Sequence, residues 1–459
     1  MDWLPDLTQS DRPRYLAIAD RIAADIASGA LAAGDRLPPQ RRLAGALALD
    51  FTTVARGYVE AQRRGLVESR VGQGTFVRAA PAGAAASRAS SPELVDLSMT
   101  LPPEPDDPAL IARLREGMAE VGERLVGLLR YQPLGGSPAD KAAAGLWLAR
   151  RGLAPVPEQL FVAPGANAAL LAILSSLARP GDTVLCEALT YPGIRSICAQ
   201  LGLSLAGLAM DGEGLDPEAF GAACARLKPK ALYLNPVLQN PTTITMPERR
   251  RVEIVAVARR HGVAIIEDDA YGFLPRQAPA PFAALAPELS WHIAGLSKCL
   301  GAGLRLAYVV VPDIRSGWSF AAALRAGSIM ASPLTAALAT AWIEDGSADA
   351  LLGFVRTETA ARQQLAAGIL PAGCCRADPL SFNLWLELPP PWTRAAFVGQ
   401  MQATGIGIVA SDAFAAKGPA PEAARICLGG PIGRKALRDG LAYMAHALEH
   451  APEAGAGAL

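Results

Sequence analysis

Gly295-Leu296-Ser297-Lys298-Cys299-Leu300-Gly301-Ala302-Gly303-Leu304-Arg305 decides how the larger part of this chain is read. A lysine lies in a glycine-rich loop, with the apolar run 307–311 just beyond it. On its own, a surface lysine would explain Lys298 better. Its surroundings argue otherwise. Arg305, seven positions on, and the Ser297 hydroxyl suit a phosphate group. Asp268 follows the apolar strand expected at 263–266, at the carboxyl edge where α/β sheets bind ligands. Glu267 and Asp269 flank it, and one of the three is expected merely to lie at the surface. Tyr271 follows Asp268 by three residues and can reach the same ligand. Asn240, in Gln239-Asn240-Pro241-Thr242, offers an amide donor, although Asn-Pro is also an ordinary turn. Gly165-Ala166-Asn167 opens a helix after the expected strand Leu160–Ala163, so its free N–H groups can cradle a phosphate without a charged side chain. Tyr191, in Leu189-Thr190-Tyr191-Pro192-Gly193, can stack on a flat ring or sit in the core, with about equal claim.

One chemistry needs all of these parts. Pyridoxal 5'-phosphate requires a lysine for its aldehyde, an acid facing its pyridine nitrogen and donors to its ring oxygen. It also needs an aromatic ring over its face and an anion cradle for its phosphate. From about residue 95 onward, short apolar runs such as Ala231–Leu234 alternate with glycine-punctuated helices. That alternation predicts an α/β domain with a mainly parallel sheet.

The N-terminal part reads differently. Tyr15, Ile18, Ala19, Ile22 and Ile26 recur at helical spacing, and Gly29 can end that helix. A second helix can start at Pro39, with Leu43, Ala46 and Leu47 on one face. Asp50 caps a third, over about 51–64 and closed by Gly65, with Val54, Tyr58 and Ala61 inward. Two short strands, 66–71 and 75–78, flank Gly72-Gln73-Gly74. Three helices and a hairpin in under 70 residues are consistent with an α+β winged helix-turn-helix. The third helix is expected to enter the major groove, with Thr52, Thr53 and Arg56 on its first turns. Arg56 suits a guanine or a phosphate, and Arg36, Arg41 and Arg42 suit phosphates. The glycines of the wing, Gly72 and Gly74, let its backbone come close to DNA, and Gln73 between them is expected to meet DNA as well. Any one of these arginines could equally belong to a solvated face, but the whole pattern fits that reading poorly. Residues 11–78 hold eleven arginines, no lysine and seven acidic residues, an excess of four in a chain whose formal net charge is zero.

At 459 residues the chain is too long for one core, so two or three domains are expected. With 51% hydrophobic and 19% charged residues, most of it is expected to be globular. The expected division is a DNA-binding domain at 11–78, a linker at 79–95 rich in Ala, Ser, Gly and Pro, and an effector domain at 96–450. As a flexible coil the linker spans roughly 20–25 Å. The seven cysteines form no C-x-x-C pair and the four histidines do not cluster near them. That argues against a metal site and a disulfide framework, and reduced thiols in a cytoplasmic protein are expected. The opening residues lack the basic start and apolar run of a signal peptide, and no apolar stretch approaches membrane-spanning length.

Residues 14–78 resemble the GntR-type DNA-binding domain. The matching pieces are Ser28-Gly29-Ala30-Leu31, Gly34-Asp35-Arg36-Leu37-Pro38, Arg41-Arg42-Leu43-Ala44, Thr52-Thr53-Val54-Ala55-Arg56, Gly65-Leu66-Val67 and Gly72-Gln73-Gly74-Thr75-Phe76-Val77. Phe51 departs from the pattern, since many members have Arg there. Residues 95–445 resemble the fold-type I aminotransferases of classes I and II. That resemblance implies that Lys298 holds the cofactor covalently, Asp268 pairs with the pyridine nitrogen, Asn240 and Tyr271 bond the ring oxygen, and Arg305 binds phosphate. It also implies that Tyr131, in Tyr131-Gln132-Pro133-Leu134-Gly135, reaches the phosphate of a neighbouring subunit, and that Arg425, in Arg425-Ile426-Cys427-Leu428, grips an amino acid's carboxylate. The pattern is broken by Thr243 where Gly is usual, by Asp140-Lys141 where Leu-Arg is expected, and by Gly301-Ala302-Gly303 in place of Ala-Pro-Gly. These departures bear on transamination more than on cofactor binding.

Together the two parts resemble the MocR subfamily of bacterial regulators. The resemblance implies a homodimeric, cytoplasmic transcription regulator that binds a double-stranded DNA operator. Its signal would be pyridoxal phosphate, alone or as an adduct with an amino acid or amine. The alternative expectation is an aminotransferase acting on an amino acid. A third, a large domain serving only as dimerisation scaffold, would need none of the cofactor-facing residues.

Overall fold

The computed structural model describes residues 3–5, 13–27, 30–31, 34–47, 49–63, 66–70, 74–77, 95–416 and 418–450. They fall into two compact units, divided between Glu93 and Leu94. The expected features at Gly29, Gly65, Gly72, Gln73 and 79–94 lie outside the described residues.

The small unit contains helices α1 (Arg14–Ala27), α2 (Gln40–Leu47) and α3 (Phe51–Arg63), followed by strands β1 (Val67–Arg70) and β2 (Gly74–Val77). The two strands form an antiparallel hairpin with Val67 opposite Val77. Ile18 and Ile22 of α1 share a core with Val54, Tyr58 and Ala61 of α3, the faces that helical spacing selects. Gly57 lets the two helices approach: a Cβ there would lie 3.0 Å from the Ile18 side chain and 3.1 Å from the Tyr15 carbonyl oxygen. The buried Tyr58 phenol donates to the Pro38 carbonyl at 2.8 Å, tying α3 to the start of α2.

The large unit is built on a seven-stranded sheet. In spatial order its strands are Leu160–Ala163, Ala307–Val310, Ser290–Gly295, Ala264–Asp268, Ala231–Leu234, Thr183–Glu187 and Ser204–Leu208. Four adjacent pairings are parallel, as the alternation of strands and helices predicts. Ala307–Val310 is the exception, antiparallel to both neighbours. Eleven residues separate it from Gly295, fewer than a parallel crossover needs. Two 3-10 turns, Leu296–Lys298 and Ala302–Leu304, fill that short connection and hold Lys298 just beyond the carboxyl end of Ser290–Gly295.

Helices cover both faces of the sheet. Ile173, Phe320 and Leu324 pack on Ile266, Ile293 and Val309 from one side, and Phe220, Ile254 and Ala258 pack on Leu232 and Ile265 from the other. Burial on both faces is why these strands read as continuous apolar runs. A second, four-stranded antiparallel sheet has the order Cys375–Ala377, Asn383–Glu387, Ala423–Cys427, Val409–Ala410. The alternation pattern does not anticipate it. It packs on the helix Arg434–Glu449 through Leu384, Leu386, Leu437 and Met444, and its inner strand carries Arg425. Val95, placed by its sequence at the end of the linker, is instead paired in parallel with Ile406, and its N–H donates to the Gly405 carbonyl at 2.9 Å.

Candidate cofactor cleft and nucleic-acid interface

A cleft of about 400 Å³ opens at the carboxyl edge of the large sheet. It gathers Lys298, Asp268, Tyr271, Asn240, Tyr191, Ala166, Asn167, Ser297, Arg305 and Arg425 from segments far apart in sequence. Two expected residues do not line it. Gly165 stands behind Arg305, and Tyr131 is 81% exposed on its own chain.

Asp268 ends the strand Ala264–Asp268 and is buried. The Tyr233 phenol donates to its Oδ2 at 2.8 Å, while Oδ1 is buried with no partner. Burial pushes the Asp268 carboxyl up to about 6, against the Tyr233 hydrogen bond, which pulls it down. Asn235 joins this acid to the Asn240 turn. Its Nδ2 donates to the Asp268 carbonyl at 2.6 Å, and its Oδ1 accepts the Asn240 N–H at 2.9 Å.

Lys298 donates to the Thr100 carbonyl at 2.6 Å. Burial lowers its amine to about 8, so part of it is neutral and nucleophilic at physiological pH. Arg425 donates to Asn240 Oδ1 at 3.0 Å and to the Ser98 carbonyl, with its guanidinium 4.9 Å from the centre of the Phe414 ring. Its Nε is buried and unpartnered, and burial lowers the guanidinium's proton affinity. Because Arg425 takes Asn240 Oδ1, the Asn240 amide nitrogen is left to donate elsewhere.

At the other end, Gly165 precedes the helix Ala166–Leu177 with φ +92°, a region open to glycine. A Cβ there would lie 3.3 Å from an Arg305 guanidinium nitrogen, so its absence lets that cation lie against the first turn. The Tyr191 hydroxyl donates to Asn167 Oδ1 at 3.1 Å, fixing its ring at the same end.

Glu267 and Asp269 are a correction. Both are buried, so none of the three acids is merely superficial. Arg251 pairs with Glu267 at 3.1 Å and Arg151 with Asp269 at 2.8 Å. His292 Nδ1 lies 3.0 Å from Glu267. Charges so deep persist only when paired and hydrogen-bonded.

Several cleft residues escape a reading of the sequence. Ser98, Met99, Thr100 and Leu101 form one wall, and Asn235, Val409 and Phe414 contribute to others. Tyr233 acts from behind Asp268. Only Asn235 carries a local signal, an Asn-Pro step closing an apolar strand.

On the small unit, Arg36, Arg41, Phe51 and Gly74 surround a cleft of about 300 Å³ beside the start of α3. Gly74 has φ +116°, and a Cβ there would stand 2.8 Å from the Arg36 Nε, so glycine lets Arg36 lie along the wing. Asp50 caps α3 by accepting from the Thr52 N–H at 2.7 Å and from its hydroxyl. Thr52 is exposed and Thr53 half-buried. The Arg56 guanidinium stacks 4.3 Å from the centre of the Tyr15 ring, and Arg41 lies 5.8 Å from that of Phe51.

Residues 14–77 match the bacterial regulatory proteins of the gntR family, and residues 95–433 match aminotransferase class I and II. The HTH-type transcriptional regulator YdeF of Bacillus subtilis is 30% identical over 98% of this chain and 97% of its own length. The vitamin B6 salvage pathway transcriptional repressor PtsJ of Salmonella typhimurium is 30% identical over 88% of this chain and 91% of its own. Among solved structures, an archaeal alanine:glyoxylate aminotransferase shares the fold with a TM-score of 0.71 and 22% identity, over 79% of this chain and 92% of that one. Among the described residues, no helix is long and apolar enough to cross a membrane. A gntR-type DNA reader ahead of an aminotransferase fold, in the order and over the length of these regulators, places the chain in the MocR subfamily of GntR-type transcription regulators.

Proposed function

We propose that the large unit binds pyridoxal 5'-phosphate, and that its occupancy, alone or with an amino compound, sets how the small unit binds its operator. The observation that carries this is the Asp268 carboxylate, whose buried Oδ1 has no partner and whose cleft also holds Lys298. An acceptor left so is costly unless a donor arrives, and a protonated pyridine nitrogen is such a donor. When bound, the group supplies an aldehyde that captures primary amines and a ring that draws electrons.

The chain's own residues divide the work. Lys298 is the amine that holds the aldehyde end. Asn240, through its free amide nitrogen, and Tyr271 donate to the ring oxygen. Tyr191 covers the ring, and Ala166, Asn167, Ser297 and Arg305 form the anion cradle, with Gly165 making room for Arg305. Arg425, with a free Nε, orients the carboxylate of an amino acid effector. Tyr131, exposed on its own chain, is assigned to the phosphate of a second subunit in a homodimer. The domain limits are taken as 11–78, 79–94 and 95–450, the expected linker 79–95 shortened by one residue because Val95 pairs with Ile406, and the protein is placed in the cytoplasm. PtsJ, named for vitamin B6 salvage, supports a ligand of this chemical class.

The complete set of Lys298, Asp268 and Arg425 also favours a second reading, in which some transamination of an amino acid persists. One experiment separates them. Purified protein is loaded with pyridoxal phosphate and its visible absorbance is followed with and without amino compounds, alongside binding to DNA from its own upstream region. The sensor reading expects a lysine-bound cofactor band, lost in Lys298→Ala, and a change in DNA affinity when the ligand binds. Absence of cofactor uptake by the wild-type protein sinks it. Steady turnover with a 2-oxo acid and no effect on DNA supports the enzyme instead.

A further inference from the structure

The first residue of the recognition helix is the least polar group on a surface otherwise built for a polyanion. Phe51 is 45% exposed at the N-terminus of α3. It shares the cleft with Arg36, Arg41 and Gly74, and the Arg41 guanidinium lies 5.8 Å from the centre of its ring. In a helix-turn-helix, the N-terminal residues of this helix face base edges in the major groove. The polar neighbours there are partly committed. Thr52 spends its hydroxyl proton on Asp50, and Arg56 stacks on Tyr15. Phe51 has no polar atom with which to read a donor or acceptor. Major-groove edges offer one apolar group, the 5-methyl of thymine.

We infer that Phe51 is a specificity-determining residue whose ring packs on a thymine methyl group, selecting an A·T pair at one position of the operator, with Arg41 holding the ring against the groove. The inference rests on the small unit being the DNA reader. It adds which base one residue reads, and by what contact.

Uracil differs from thymine only by that methyl, and 5-methylcytosine adds it to cytosine, so base analogues isolate the contact. Full-length protein first selects sites from a random duplex library. Each thymine of the selected site is then replaced by uracil, in turn, and affinities are measured for the wild type and for Phe51→Ala. Wild type should lose about three- to fivefold at a specific thymine, the scale of burying one methyl group. Phe51→Ala should bind more weakly overall and lose its sensitivity at that thymine. At the same position 5-methylcytosine should bind wild type more tightly than cytosine. If alanine does not fold, Phe51→Gln keeps the length of the side chain without its apolar face and should lose the same sensitivity. A site at which no uracil weakens the wild type overturns the inference. So does a uracil effect that is unchanged in the variants, because another residue then reads the methyl. A protein that selects no duplex overturns this inference and the DNA-reading assignment together. Tight but methyl-blind binding overturns only the former.

Discussion

The phenol of Tyr233 donates to Oδ2 of Asp268 at 2.8 Å and leaves Oδ1 of the same carboxylate buried without a partner. Tyr233 thus occupies one oxygen of an acid that lines the cleft and leaves the other without a partner. It also opposes burial, which pushes the Asp268 carboxyl up to about 6. Tyr233→Phe removes that opposition, so the carboxyl rises further and is more often protonated near neutrality. Cofactor affinity in the wild type should fall as pH drops through about 6. In the variant the fall should begin at higher pH, with affinity at pH 7 lower by roughly three- to tenfold, the scale of one buried hydrogen bond. Spectrophotometric titration across pH checks this, and superimposable profiles would sink it.

The same acid sets a trade between stability and binding. Its folded-state value of about 6 lies above its ordinary 3.8. The folded protein therefore holds this proton more tightly than the unfolded chain, and ionised Asp268 opposes folding at neutral pH. Asp268→Asn should stabilise the cofactor-free protein by on the order of 2–3 kcal/mol at pH 7. The gain should shrink as pH falls from about 6 toward 3.8 and vanish below that, where the carboxyl is protonated in both states. Cofactor affinity should drop in parallel. Denaturant melts of the cofactor-free protein at pH 7 and pH 4 test the sign, and a variant less stable at pH 7 contradicts it.

The parts of the site that a sequence reveals are those with a local signature. Lys298 among glycines, Asp268 beyond an apolar run and Gly165 before a helix each follow from neighbours within a few positions. Tyr233 has no such mark, being a tyrosine within a fully buried strand. Its role depends on pairing with the neighbouring strand, where it stands opposite Ile266 two residues before Asp268. Glu267 and Asp269 look superficial as part of an acidic run. They are buried because Arg151 and Arg251 arrive from other elements. Arg251 itself sits in a helix so rich in charge that its inward direction is hidden. The wall at Ser98–Leu101 and the ring of Phe414 come from segments over 300 residues apart, and only the tertiary fold joins them.

Thr243, where glycine is usual in the resembling enzymes, has φ +61°, and its buried hydroxyl has no partner. A β-branched residue in the left-handed region is strained by roughly 1–2 kcal/mol, and an unsatisfied hydroxyl adds to that. Thr243→Gly relieves both and gives back some in chain entropy. The net expectation is a gain of about 1 kcal/mol, read from the midpoint of urea unfolding at unchanged slope. A loss of stability would mean the Thr243 methyl packs better than the strain costs.

Arg56 has two possible duties, and one variant tells them apart. Its guanidinium stacks on Tyr15, bracing α3 against α1, yet the residue is exposed in the first half of α3, the helix expected to enter the major groove. If it contacts a base, Arg56→Ala should weaken operator binding by about 1–3 kcal/mol with selectivity relaxed at one position. If it only braces, thermal stability falls and operator affinity at low temperature does not. A phosphate contact would instead weaken all sequences equally and flatten the salt dependence.

If Arg425 grips an effector's carboxylate as proposed, its substitution separates effector recognition from cofactor capture. Its Nε is unpartnered and its other nitrogens are fixed by Asn240 and Ser98, so a carboxylate arriving in the cleft meets a held, planar donor above Phe414. Lysine retains the charge and loses the fork. Arg425→Lys should leave pyridoxal phosphate binding within a few-fold and lower the affinity for amino acids by about 10- to 100-fold, the scale of losing charge-assisted hydrogen bonds. Amines of similar length without a carboxylate should bind the two proteins alike, because they never used the guanidinium. Titrating the loaded protein with such a matched pair, under one absorbance readout, gives both comparisons at once. Equal losses for acid and amine would assign Arg425 to holding Asn240 in place, through the 3.0 Å bond they share, and not to gripping the effector.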